Sequence, residues 1–316
     1  MTVEKHRAPT SGGELAYVDV GEGPVVLLLH DFPQSSYVWR GLAPLLASRF
    51  RVIAPDLLGT GDSDEPATAE LSLRAQAGYV GELLDALAVE RCAVLGHGFG
   101  GGVAQLLALD GARVDAMVLL DTIAFDAWPS AAIRQTQLTP HEDEDEMVVH
   151  SEIREAFRVG MRNPERMTDA DLAEYLRPFS GPDGAAAFFR FVHALDGDGL
   201  AGRDDDLEKL EIPVLIFWGE DDAFISAAVA ERLNAAIPTS TLGLLPGGGH
   251  FLVDDAIETI GPMIHEYLRA RYLGTPHGHA DPTGAVMIQL ERRPPWLDLA
   301  EDEADDWFDV DDEEDG

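Results

Sequence analysis

Residues Cys92-Ala-Val-Leu-Gly-His-Gly-Phe-Gly-Gly-Gly102 constrain the fold more than any other stretch. A short apolar run enters a glycine-rich turn, and a helix of small residues follows. That succession predicts a buried strand delivered into a tight turn at the end of a parallel sheet, the layout of a G-x-nucleophile-x-G elbow. Gly96 and Gly100 flank the turn, where a Cβ would collide with the neighbouring strand or helix. The position between them, which ordinarily carries a Ser, Cys or Asp, is Gly98. The turn is present without the side chain it usually displays.

The remaining chain supplies a sheet for this turn. Val25–Leu29, Arg51–Pro55, Ala116–Leu120, Pro213–Trp218 and Ser240–Leu245 are apolar runs of strand length, as expected where both faces are covered. Leu15–Val20 alternates and predicts an edge strand. Helices are expected from Ser35 or Ser36 through Ala47, over Ser72–Ala88, over Ser226–Ala236 and from Asp254 to about Tyr272. Strands alternating with helices imply a parallel sheet covered on both faces. Residues 126–206 differ: no strong strand pattern appears, and Pro129, Pro140, Pro164 and Pro178 interrupt helical segments. This block reads as a helical insertion. The run His141–Glu146 reads as a solvated helix start or loop. Beyond Gly274 the chain is turn-rich and then acidic, a disordered tail except where Trp296, Trp307 and Phe308 dock on the body.

Charge narrows the partners. Asp and Glu number 58 against 22 Lys and Arg, a net charge of −36, and only Lys5 and Lys209 are lysines. Nucleic acid and anionic membranes are poor partners for such a surface. The composition resembles that of halophilic, high-salt cytoplasms, although a GC-rich genome with an acidic tail gives a similar bias. Cys92 is the only cysteine, which excludes an intrachain disulfide and reads as a small core residue. Met1–Thr10 lacks an apolar h-region, and no run approaches a membrane span. A cytoplasmic protein, monomer or homodimer, is the expectation. His277 and His279 lack partners at zinc-ligand spacing. Gly100–Gly102 lacks the spacing of a dinucleotide fingerprint. No cofactor and no metal are expected.

Four motifs in order resemble the α/β-hydrolase superfamily, most of all its capped branch of epoxide hydrolases and haloalkane or haloacid dehalogenases. They are His30-Asp-Phe-Pro-Gln34, Pro55-Asp-Leu-Leu-Gly-Thr-Gly-Asp-Ser-Asp64, Gly96-His-Gly-Phe-Gly100, and Trp218-Gly-Glu-Asp-Asp222 with Gly249-His250. The resemblance spans about residues 14–272. It implies an α/β-hydrolase fold: a mostly parallel eight-stranded sheet flanked by helices. The core is expected at 1–125 and 207–274, with a helical cap at 126–206 inserted before the last two strands and an acidic tail at 275–316. It further implies His250 as catalytic base and Asp222 as its acid, with Asp221 a near alternative. The backbone amides of Phe32 and Phe99 match the oxyanion-hole donors. A small-molecule pocket under the cap would draw on aromatics such as Trp128, Tyr175 and Phe189.

Two positions depart from the family. Gly usually follows the first His, and the elbow often carries Asp, Ser or Cys; here these are Asp31 and Gly98. A lost side chain beside a gained carboxylate suggests relocation. Asp31 would then attack carbon itself, or hold or deprotonate water with His250 and Asp222. A second reading has no covalent step and uses His250 as general base in a hydrolase or lyase. A third is a catalytically inactive ligand-binding protein. Asp31 is expected to crowd the oxyanion hole or to need an uncommon backbone conformation, which disfavours a serine-type acyl-enzyme. His30 and His97 read as structural, and Asp121 as a loop cap or an acid behind the site.

Overall fold

The protein is described from a computed structural model covering residues 4–111, 113–139, 145–273 and 286–289. The expectations for His141–Glu144, for His277 and His279, and for Trp296, Trp307 and Phe308 lie outside the described residues. One sheet organises the chain. Its strands are β1 (His6–Pro9), β2 (Glu14–Val20), β3 (Val25–Leu29), β4 (Arg51–Pro55), β5 (Cys92–His97), β6 (Val114–Leu120), β7 (Val214–Gly219) and β8 (Ser240–Leu245). Their spatial order is β1-β2-β4-β3-β5-β6-β7-β8, parallel from β4 to β8, with β2 antiparallel to both neighbours. This is the expected eight-stranded sheet of the α/β-hydrolase fold, and β9 (Val286–Gln289) extends it by pairing parallel with β8.

The apolar runs are strands because both faces are covered. In β3, Val26 and Leu28 enter one core and Leu27 and Leu29 the other, all fully buried. Helices α1 (Ala43–Ala47), α2 (Leu73–Ala86) and α3 (Gly98–Asp110) connect the early strands. Ser72 caps α2 by accepting from the Ala75 N–H. Among the described residues, five α-helices lie between β6 and β7: α4 (Ala131–Leu138), α5 (Glu146–Gly160), α6 (Asp169–Leu176), α7 (Gly184–Ala194) and α8 (Asp204–Leu207). The chain closes through α9 (Ala227–Ala236), α10 (Leu252–Asp255) and α11 (Ile257–Leu268).

Two local expectations are corrected. β2 is not an edge strand, because β1 pairs outside it. The segment His6-Arg-Ala-Pro9 has no apolar alternation; pairing to β2 and the Arg7 ion pairs with Glu14 and Asp64 hold it there. The helix expected from Ser35 through Ala47 is a 3₁₀ turn over Ser36–Arg40 followed by α1. Pro44 breaks it, lacking an N–H and clashing with the carbonyl four residues earlier.

The inserted helices are tied to the sheet body by a polar cluster at α6. Arg40 pairs with Asp171 at 3.0 Å and with Asp254 at 2.8 Å. Tyr175 donates to Asp254, and Tyr37 donates to Asp171. The Asp254 side chain is only 1% exposed. Burial raises its pKa, and the Arg40 charge only partly offsets this. Arg40→Met should therefore destabilise the protein by about 2–3 kcal/mol, mostly through a stranded buried carboxylate; Arg40 is itself partly open to water, which keeps the figure low. Asp254 titrates above its unfolded value, so its charged form costs stability at neutral pH. The penalty in Arg40→Met should shrink as pH falls through that raised pKa. Urea denaturation at pH 7 and pH 5 checks both the size and the sign.

Candidate active site

The elbow forms where β5 hands the chain to α3. A Cβ on Gly100 would lie 2.4 Å from the carbonyl oxygens of Leu29 and His30, so β3 and α3 approach as closely as they do only because that position is glycine. Gly98 adopts φ +51°, the left-handed conformation of the turn. A Cβ there would stand 2.1 Å from Asp31 Cγ and 2.2 and 2.4 Å from its carboxylate oxygens. The Asp31 carboxylate thus fills the space into which an elbow side chain would project. The backbone of Asp31 does not take a left-handed φ, so the expected conformational cost is absent. The expected crowding is present: Asp31 Oδ1 accepts from the Phe99 N–H at 2.6 Å, one of the two amides matched to the oxyanion hole. The Phe32 ring stacks on Phe191 with centroids 4.5 Å apart, which fixes the other side of the loop.

Asp31, His250 and Asp222 form one line. His250 Nε2 lies 3.0 Å from Asp31 Oδ2, and Nδ1 lies 2.8 Å from Asp222 Oδ2. Asp222 is fixed in turn by the N–H groups of Phe224 and Ile225, both donating to Oδ1. Asp221, the alternative acid, is exposed. Burial pushes the His250 pKa down, but Asp222 and Asp31 together overcome it and hold the imidazole well above its ordinary value. Burial likewise pushes Asp31 up, and the bond and charge of His250 outweigh it, leaving the carboxylate below its usual range. The two neighbouring carboxyl groups thus favour the charged form of the His250 ring.

The neighbouring polar residues hold this line in place. Leu57 N–H donates to His30 Nε2, which puts the His30 proton on Nδ1, from where it donates to the Asp31 carbonyl. His97 lies 2.8 Å from the His250 carbonyl through Nε2, and burial lowers its pKa to about 4. Both histidine rings use both nitrogens in hydrogen bonds to loop residues. The Gln34 amide bridges His97 Nδ1 to Asp254, joining the centre to the polar cluster at α6. Nothing in the spacing of Gln34 and Asp254 announces that bridge, since 220 residues separate them. Asp121 ends β6 at φ +39°, and its Oδ1 accepts from the Gly219 N–H at 2.8 Å. An oxygen of Asp121, one of Asp222 and a nitrogen of His250 lie within 4.8 Å of one another. Both His250 nitrogens are already bonded to carboxyl groups, Nδ1 to Asp222 and Nε2 to Asp31, so a metal ion at that trio would have to displace the Nδ1–Asp222 bond.

A cavity of about 430 Å³ opens over Asp31 and His250. Its walls come from the sheet loops (Phe32, Ile123, Phe224) and the inserted helices (Val148, Ile153, Phe188), and are mostly apolar. Trp128 and Phe189 line it as expected. Tyr175 does not, which corrects the expectation for it. Its ring stacks on Phe157 with centroids 5.1 Å apart, and its hydroxyl is spent on Asp254. No lysine or arginine lines the cavity among the described residues.

Comparison with known proteins places this geometry. A family model described as alpha/beta hydrolase fold matches residues 24–257. The soluble epoxide hydrolase of Corynebacterium sp. (strain C12) is 33% identical over 285 residues, which cover 83% of this chain and 98% of that protein. Haloalkane dehalogenase 2 of Mycobacterium tuberculosis is 30% identical over 270 residues, covering 81% and 92%. The crystal structure of haloalkane dehalogenase DbeA from Bradyrhizobium elkani superposes with a TM-score of 0.74 at 25% identity, covering 86% of this chain and 99% of that one.

Proposed function

Since the chain belongs to the alpha/beta hydrolase fold family and is an enzyme of the hydrolase kind, we propose that it hydrolyses small, largely apolar carbon electrophiles through an ester formed on Asp31. The observation that carries this reading is the Asp31 carboxylate standing in the space of the missing elbow side chain, with Oδ1 on the Phe99 N–H and Oδ2 on His250. Epoxides and alkyl halides are the substrate classes, in keeping with the names of the relatives. The cavity volume suits a small ligand. The reaction needs no cofactor, and the enzyme works as a cytoplasmic monomer or homodimer.

The proposed chemistry has two halves. Asp31 Oδ2 attacks the electrophilic carbon, and the breaking bond leaves its electron pair on the halide or the ring oxygen. Esterification removes the Asp31 charge, one of the two that hold the His250 proton. That proton passes to the departing epoxide oxygen or to solvent. His250 Nε2 then takes a proton from water, whose oxygen adds to Asp31 Cγ. The new oxyanion forms on Oδ1, where the Phe99 N–H already sits. Collapse breaks the Cγ–Oδ2 bond, His250 returns its proton, and the alcohol leaves with Oδ2. The reading without a covalent step is disfavoured because Asp222 and Asp31 hold the His250 pKa well above its ordinary value, which favours the cation over the base that reading needs.

One experiment separates the two. In a single turnover with enzyme in excess in oxygen-18 water, the alcohol should carry unlabelled oxygen and the Asp31 peptide should gain the label. Labelled alcohol with an unlabelled peptide would exclude the ester. His250→Gln should slow turnover roughly 10²–10⁴-fold and accumulate the alkylated protein, visible as an intact-mass shift equal to the substrate's added group.

A further inference from the structure

Asp121 carries three costs at once. It takes a left-handed φ of +39° without being glycine, it is completely buried, and its Oδ2 has no hydrogen-bond partner among the described residues. Its one bond, Oδ1 to the Gly219 N–H, asks for an acceptor that an uncharged side chain also offers. Such a concentration of strain beside the His250–Asp222 pair points to a role the scaffold alone does not need.

We propose that Asp121 is a positioning residue whose proton lets His250 switch between cation and base. It rests on the function proposed above for its consequence, though not for its test. The charged and titratable groups facing Asp121 come from three loops: Asp222 after β7, His250 after β8 and Asp31 after β3. Burial first, and the Asp222 charge second, push the Asp121 carboxyl well above the usual range, which favours its uncharged form. The count of charges gives the consequence. With Asp121 neutral, esterifying Asp31 leaves His250 facing one carboxylate, and its proton can leave. With Asp121 ionised, two carboxylates would still face the ring, and His250 would stay protonated and unable to activate water. Asp222 and Asp121 thus act as a pair in which the charge of one keeps the proton on the other.

The nitrogen-15 shifts of the His250 ring report its charge without any turnover. In the parent protein, rising pH ionises Asp121 and delays the loss of the His250 proton. Asp121→Asn keeps an acceptor for the Gly219 N–H and cannot ionise. The His250 midpoint should therefore fall by roughly one pH unit in that variant, as for a nearby like or opposite charge. An unchanged midpoint overturns the proposal. Asp121→Ser serves the same comparison if the asparagine variant does not fold. Kinetics give an independent arm. In Asp222→Asn the repulsion that keeps Asp121 protonated is gone, so Asp121 should ionise and take over from Asp222. Asp222→Asn should then retain at least tenfold more turnover than the Asp121→Asn/Asp222→Asn double variant, and equal activity of the two overturns the proposal. Failure of the oxygen-18 experiment would remove the ester while leaving the His250 midpoint comparison intact.

Discussion

Asp31→Asn should lower turnover by roughly 10⁴–10⁶-fold, the scale of removing a nucleophile that acts as part of a unit. The substitution is nearly isosteric, and the asparagine Oδ1 can still accept from the Phe99 N–H. The fold and the apolar cavity should survive, so melting temperature and binding of an inert substrate analogue serve as controls. Full turnover in Asp31→Asn would sink the relocation of the carboxylate. The acid limb of kcat/KM should follow the same residue. The folded pKa of Asp31 is depressed, so its charged form is present above its unfolded value and is lost only as pH falls through the folded one. Activity should therefore persist below about pH 4, where an ordinary carboxylate would already be half protonated. The stability that this ion pair contributes is lost over the same interval.

Gly98→Asp, which restores the usual elbow side chain, should damage the protein. Its Cβ would fall 2.1 Å from Asp31 Cγ, on a residue held at φ +51°. Overpacking costs roughly 1–3 kcal/mol and a left-handed non-glycine residue roughly 1–2 kcal/mol more. Two carboxylates forced into one space add repulsion. A loss on the order of 10 °C in melting temperature is expected, at about 2–4 °C per kcal/mol for a chain of this size. Asp31→Gly/Gly98→Asp removes the clash and returns a carboxylate to the same space from the other loop. It should recover most of the lost stability and at least 10²-fold of the activity that Gly98→Asp lacks. Such strong non-additivity is what two side chains competing for one site must give. A well-folded, fully active Gly98→Asp protein would mean that Asp31 does not hold that space.

Much of the sheet was legible because it is written locally. Apolar runs such as Val25–Leu29 have the length of a strand covered on both faces and are bounded by turn formers, and the order of runs and turns restricts the topology. The neighbourhood of Gly98 and Asp31 was legible for a different reason: two motifs in register bring their loops together, and a vacancy beside an added carboxylate invites the pairing. The misses share a cause as well. β1 is held by backbone pairing and ion pairs, which leave no apolar period. Tyr175 has the composition of a pocket residue, yet its place is decided by Asp254, 79 positions away. The Gln34 bridge and the nearness of Asp121 to His250 arise from three-dimensional closure of distant loops. Short-range pattern carries no trace of either.

The mutual exclusion of side chains at positions 31 and 98 also has a historical meaning. A chain with Asp at the elbow that gains Asp31 holds two carboxylates in one volume and carries the clash described above. Emptying the elbow before the loop fills avoids that clash. The intermediate on that route, with glycine at both positions, has no carboxylate in this space from either loop. If Asp31 carries the chemistry proposed above, a carboxylate moved in that order leaves the space empty for a time, and chains with glycine at both positions are the ones to compare.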